Sequence, residues 1–265
     1  MRLIIIIFFL LITTSSFAVT FKGSFIQGSF IIGKTEPGSK VLIDKKKVKI
    51  TSDGTFVFGL GRDRKYDVVI SINKDGKKEK IVKKIKKRKY NIQRIDGLEE
   101  KKVTPPKEVY DRIKKENKLI SEARKTNSNL LFFKNTFITP VENAIITGVY
   151  GSQRILNGKP KWPHYGLDFA VDEGTEIKAM LSGTVTLAEP DLFYTGGTLI
   201  FDHGHGVSTL YMHMQELLVK NGQNVEKGDI IGTVGSTGRA TGAHLDIRLN
   251  WFDIRLDPAT ALNIK

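Results

Sequence analysis

All five histidines of the 265-residue chain, His164, His203, His205, His213 and His244, fall in its C-terminal half. Three of them sit in stretches where further polar groups recur at short spacing. PHYGLDFA, residues 163–170, sets His164 four positions before Asp168, and TLYMHMQEL, residues 209–217, sets Tyr211 two before His213. AHLDIRL, residues 243–249, ranges His244, Asp246 and Arg248 at alternate positions. Side chains alternate between the faces of a strand, so the named residues of each stretch are expected to share one face, with Leu245, Ile247 and Leu249 turned toward a core. Imidazole nitrogens and carboxylate oxygens suit a zinc-like divalent cation, and further imidazoles beside such an ion can take up protons and stabilise negative charge. The chain has no cysteine, which excludes thiolate ligands, cysteine nucleophiles and disulfides. Each stretch also has a plainer reading: a satisfied His164–Asp168 hydrogen bond, a half-buried strand histidine at 213, and an Asp246–Arg248 ion pair.

The surrounding sequence must supply strands to position these groups. GTEIKAMLSGTVTLAE, GGTLIFDHGHGVSTLYMHM and VEKGDIIGTVGSTG alternate β-branched residues with glycine turns, so residues 135–265 read as an all-β domain. Residues 19–98 read as a small antiparallel β-sandwich, its short strands separated by EPGS, SDG and KDGKK. Between them, residues 99–134 form a polar linker in which Val109, Ile113, Ile120 and Ala123 recur at helical spacing after Pro105-Pro106, predicting a solvent-exposed helix. The opening MRLIIIIFFLLITTSSFA, residues 1–18, has a positive start, a ten-residue apolar run and a small-x-small site, the pattern of an export signal and too short for a membrane span. The protein is therefore expected in the periplasm or cell envelope.

The formal charge of +14 is concentrated near the N-terminus, with 17 basic against 6 acidic residues between Asp44 and Tyr90. A basic face attracts polyanions, and export argues against nucleic acid, which leaves anionic envelope polymers as partners of the Lys-rich module.

In order and with matching spacing, GSQRILNGKPKWPHYGLDFAVDEGTEIKA, HGHGVSTLYMHM, VEKGDIIGTVGSTGRATGAHL and DIRLNWFDIRLDP resemble the lysostaphin/LytM-type zinc metallopeptidases over roughly residues 137–262. The resemblance implies a mainly β fold: an N-terminal β-sandwich, a linker helix and a C-terminal antiparallel β-sheet metallopeptidase domain with a groove. It implies an exported metalloendopeptidase, a murein endopeptidase cutting peptide bonds in peptidoglycan stems or cross-links by metal-activated water. It makes His164 and Asp168 metal ligands and His213 and His244 catalytic imidazoles. The family's last motif is His-x-His, whose second histidine is the third ligand; here that position is Asp246. A carboxylate in place of a neutral imidazole cancels more of the cation's charge and makes the ligand set harder, so Mn²⁺ or another divalent ion joins Zn²⁺ as a candidate. Two rival readings follow. In one, Asp246 pairs with Arg248 and the domain is a non-catalytic peptidoglycan-binding or hydrolase-activating envelope protein with a degenerate metal site. In the other, His203 or His205 completes the ligand set. Arg154, Tyr211 and Trp162 are candidate groove residues, and Gly235, Gly238 and Gly242 candidate turn residues near the cleft.

Overall fold

Turn residues fix the first hairpins. The computed structural model describes residues 18–262, so nearly all of the export signal read in residues 1–18 lies outside the described residues. Asp44 and Lys45 take left-handed φ of 49° and 70°, and Asp75 and Gly76 take 50° and 80°, the backbone that two-residue hairpin turns require. These turns join Lys40–Ile43 to Lys46–Val48 and Val68–Lys74 to Lys77–Lys83 within one four-stranded sheet. Thr20–Lys22, Phe30–Lys34 and Thr55–Gly59 make a three-stranded sheet. Alternation along Val68–Lys74 turns Val68, Ile70 and Ile72 inward, where they join one cluster with Ile31, Phe56 and Phe58.

That cluster continues without a break into Leu167, Tyr211, Leu245, Ile247 and Leu249 of the C-terminal half. Phe30 meets Phe137 edge-on at 5.8 Å, and Leu256 fills the space a side chain at Gly59 would need. Farther on, Ile92–Ile95 pairs in parallel with Gln153–Leu156, so the N-terminal half supplies a strand to a hairpin of the C-terminal half.

The C-terminal half is built on a ten-stranded sheet. Its main path runs Asn224–Val225, Gly183–Leu192, Gly196–Asp202, Val207–Leu217, His244–Trp251, Leu167–Ala170 and Ile145–Gly148, all antiparallel. The strand His244–Trp251 separates two environments. Leu245, Ile247 and Leu249 face the shared core, whereas Leu210, directly opposite Arg248, belongs to the other face. On that face the helix Tyr110–Arg124 docks Ile120 and Ala123 onto Leu187, Leu192, Ile200 and Leu210. The helix predicted as solvent-exposed thus has one packed edge, because its apolar residues find a hydrophobic strip on the sheet. Among the described residues no helix is long and apolar enough to cross a membrane.

Candidate metal centre

The register of two strands creates the centre. Asp168 lies directly opposite Asp246 across the antiparallel pair Leu167–Ala170 and His244–Trp251, and directly opposed residues share a face. Both carboxylates are buried, at 5% and 1% exposure. Two like charges facing each other away from water are unfavourable unless cations neutralise them. His164 reaches the same point from outside the strand: it lies in the loop before residue 167, pinned by His164 N–H to Ser152 O and Gly151 N–H to His164 O, both 2.8 Å. The spacing of four therefore works through a loop anchored to residues 151–152 rather than through alternation along one strand.

One ligand atom from each of His164, Asp168 and Asp246 lies within 4.8 Å of the other two. Neither ring nitrogen of the buried His164 has a hydrogen-bond partner, nor does Asp168 Oδ1. His164 Nε2 and Asp168 Oδ1 lie 3.1 Å apart, yet without the angles of a hydrogen bond. Two neighbouring buried polar atoms aimed past each other are expensive to leave unsatisfied, and they are what a shared cation would satisfy. The donor set of one nitrogen and two carboxylate oxygens fits a divalent transition ion of the zinc type.

Glycines make room for the carboxylates. A Cβ at Gly148 would come within 2.1 Å of Asp168 Oδ2, and one at Gly166 within 2.0 Å of Asp246 Oδ1. Guanidinium groups flank the same residues. Arg154 Nη2 donates to Asp168 Oδ2 at 2.8 Å, and Arg248 Nη2 donates to Asp246 Oδ2 at 3.1 Å. The Asp246–Arg248 ion pair and the convergence on a cation site, rivals in the sequence, are both present. A carboxylate has about four lone-pair positions, and the Arg248 fork takes only part of them. Burial raises Asp168, but the contact with His164 and the charges of His164, Arg154 and His244 outweigh it and hold the carboxyl well below its ordinary range.

His213 arrives by a backbone device that alternation misses. Tyr211 stands opposite Ile247 and Met212 opposite Asp246, so regular alternation would send His213 to the core side with Tyr211. Instead His213 takes a left-handed φ of 64°, and the pairing with the neighbouring strand shifts register between Gly197 and Leu199. Its ring turns to the centre, 4.7 Å from that of His244. The expected common face of Tyr211 and His213 is thereby corrected. Tyr211 is fully buried and its hydroxyl accepts the Met180 N–H at 2.8 Å. A non-glycine residue held in this conformation costs roughly 1–3 kcal/mol, and such strain gathers at functional sites.

Both imidazoles are oriented by carbonyls. His213 Nδ1 meets Thr237 O at 2.8 Å and His244 Nδ1 meets Gly242 O at 2.9 Å. A carbonyl can only accept, so Nδ1 of each ring carries a proton and Nε2 is turned away from that contact. Burial, with the charge of His244, pushes His213 down to about 4, leaving it neutral near pH 7 with the Nε2 lone pair free. Thr237 is itself tied down, its hydroxyl donating to Met214 O and accepting the Gly197 N–H. In the same loop Gly238 has a φ of 73° and sits against Gly196 N, and Gly235 packs against Gln215 N; Gly242 faces open space.

His203 and His205 do not join the centre. His203 is fully buried, with Nδ1 on Ser182 O and Nε2 on the Thr209 hydroxyl, both 2.8 Å. His205 packs its ring on Phe133 at 4.8 Å. Among the described residues neither joins the group of ligand atoms formed by His164, Asp168 and Asp246, which counts against the alternative in which one of them completes the ligand set. Trp162 is 82% exposed beside the loop that carries His164. Sequence reasoning missed Gly148 and Gly166, whose only signal was a glycine two residues before a ligand in one case and none in the other.

An antiparallel sheet thus gathers three side chains that could hold one metal ion next to two imidazoles oriented by carbonyls. Residues 162–258 match the model of peptidase family M23. The peptidoglycan DD-endopeptidase ShyA of Vibrio cholerae is 40% identical over 87 residues, 33% of this chain and 20% of the relative. The DD-carboxypeptidase/endopeptidase Mpg of Neisseria meningitidis is 40% identical over 89 residues, with the same coverages of 33% and 20%. The similarity thus spans about a fifth of the length of these curated relatives. A solved structure described as a peptidase M23 from Pseudomonas aeruginosa superposes with a TM-score of 0.70 at 26% identity, covering 91% of this chain and 96% of that one.

Proposed function

We propose that the protein is an exported metalloendopeptidase that hydrolyses peptide bonds in peptidoglycan stems or cross-links. The observation that carries this reading is the orphaned buried set of His164 and Asp168 beside Asp246, next to His213 and His244. His164, Asp168 and Asp246 would hold one divalent ion, Zn²⁺ foremost, which supplies Lewis acidity to a water and to the scissile carbonyl. The chain's own groups do the rest. Nε2 of His213 or His244 accepts the proton released by the attacking water, and a protonated imidazole then faces the oxyanion or gives the proton to the leaving amine. Export rests on the pattern of residues 1–18 and on peptidoglycan being the substrate named for the relatives.

The Asp246–Arg248 pair favours a second reading, a peptidoglycan-binding or hydrolase-activating protein without metal. Purified protein separates the two. One tightly held Zn²⁺ per chain and chelator-sensitive release of cleaved muropeptides support the enzyme. Binding of peptidoglycan with no metal and no cleavage supports the alternative. Hydrolysis that survives intact in Asp246→Ala would remove Asp246 from the ligand set.

A further inference from the structure

A carboxylate at position 246 raises a problem that the neighbouring residues answer. The buried Asp246 directly faces the buried Asp168, and an aspartate without a partner would swing among rotamers and repel its neighbour. Arg248, two positions along on the same strand face, closes a fork on it: Nη2 to Oδ2 at 3.1 Å and Nε to Oδ1 at 3.5 Å. On another side Gly166 leaves room for Oδ1, which a Cβ there would approach to 2.0 Å. Planar guanidinium–carboxylate pairing fixes both the position and the plane of the acid. The pair as a whole carries no net charge, as a neutral imidazole carries none.

We propose that Arg248 is a positioning residue for the metal centre, and that Asp246 and Arg248 act as one neutral ligand unit in the place of a single histidine. This rests on the metal-binding reading of His164, Asp168 and Asp246. It makes the arginine necessary only while residue 246 is an acid. An imidazole at 246 would be neutral without help, and Arg248 would have nothing to hold.

The test is a cycle of zinc affinities on the full chain, measured by competition with a chromophoric chelator, with thermal melts of the metal-free forms alongside. Arg248→Gln is expected to weaken zinc binding about 10- to 100-fold, as removal of an outer-shell partner of a ligand usually does. Arg248→Lys, which keeps charge but not the fork, should fall between wild type and Arg248→Gln, and covers the case in which the glutamine variant folds poorly. Asp246→His should bind zinc, and adding Arg248→Gln to it should change affinity less than about threefold, since nothing then remains for the arginine to position. Equal losses of affinity in both backgrounds would make Arg248 a merely structural residue and overturn the proposal. So would tighter zinc binding by Arg248→Gln, which would make the guanidinium a simple repellent of the cation, or failure of Asp246→His to bind. If wild type itself holds no zinc, the underlying metal reading fails, and the inference with it.

Discussion

Replacing Gly148 by alanine should remove the metal and leave the protein folded. The three nearest atoms to a Cβ at this position all belong to the Asp168 side chain, with Oδ2 at 2.1 Å, Cγ at 2.7 Å and Cβ at 3.1 Å, and no backbone atom among them. Gly148 has no left-handed φ, so the added methyl brings no backbone strain of its own. The relief is therefore movement of the carboxylate, which must retreat by about 1 Å to reach ordinary contact. Ligand atoms tolerate errors of only about 0.2 Å in metal distance. A displacement several times larger leaves His164 and Asp246 alone, so zinc affinity should fall at least about 100-fold. The shift also disturbs the Arg154–Asp168 pair, at 2.8 Å in the native arrangement, and with overpacking this costs roughly 1–3 kcal/mol of stability. For a chain of this size that lowers Tm by roughly 2–4 °C per kcal/mol. Zinc titration and a circular-dichroism melt read the two effects separately. Gly242→Ala, with nothing within 4 Å of its Cβ, is the matched control and should change neither. Native zinc affinity in Gly148→Ala would refute the placement of Asp168 and the reasoning built on it.

Three further outcomes are expected. His213→Ala and His244→Ala should each lower the rate of muropeptide cleavage about 10²- to 10⁴-fold while zinc content stays at one per chain; loss of zinc in either would place that imidazole among the ligands. His203 is pushed down to about 4 by burial, so its folded value lies below its unfolded one. The unfolded chain then binds the extra proton, and stability should be full above about pH 6.5 and decline as pH falls toward 4, by at most about 3 kcal/mol from this group. Urea melts between pH 7 and pH 4 should show a shallower decline in His203→Gln than in wild type. Finally, Gly166→Ala, whose Cβ meets both Asp246 Oδ1 at 2.0 Å and Ile247 O at 2.7 Å, should lose zinc and also destabilise the strand pair, giving a larger drop in Tm than Gly148→Ala.

Much of the centre could be read from the chain because strand alternation is a local rule. AHLDIRL obeys it: Leu245, Ile247 and Leu249 lie in the core and His244, Asp246 and Arg248 on the other face. Hairpin turns such as Asp75-Gly76 were equally legible, since their backbone demands are met within two residues. The helix Tyr110–Arg124 was predicted by its period, but its docking against Leu187, Ile200 and Leu210 was not, because those partners lie more than sixty residues away.

What the sequence alone determined was the kit: which side chains can ligate or carry protons, and the face each takes on a regular strand. Tertiary structure decided what those side chains meet. It set Asp168 against Asp246, hung His164 from a loop tied to Ser152, and turned His213 to the centre through one left-handed residue. It also opened space for two carboxylates at Gly148 and Gly166. The physical reason is that periodicity propagates only along a strand, whereas register between strands and close approach of backbones depend on the packing of the whole sheet.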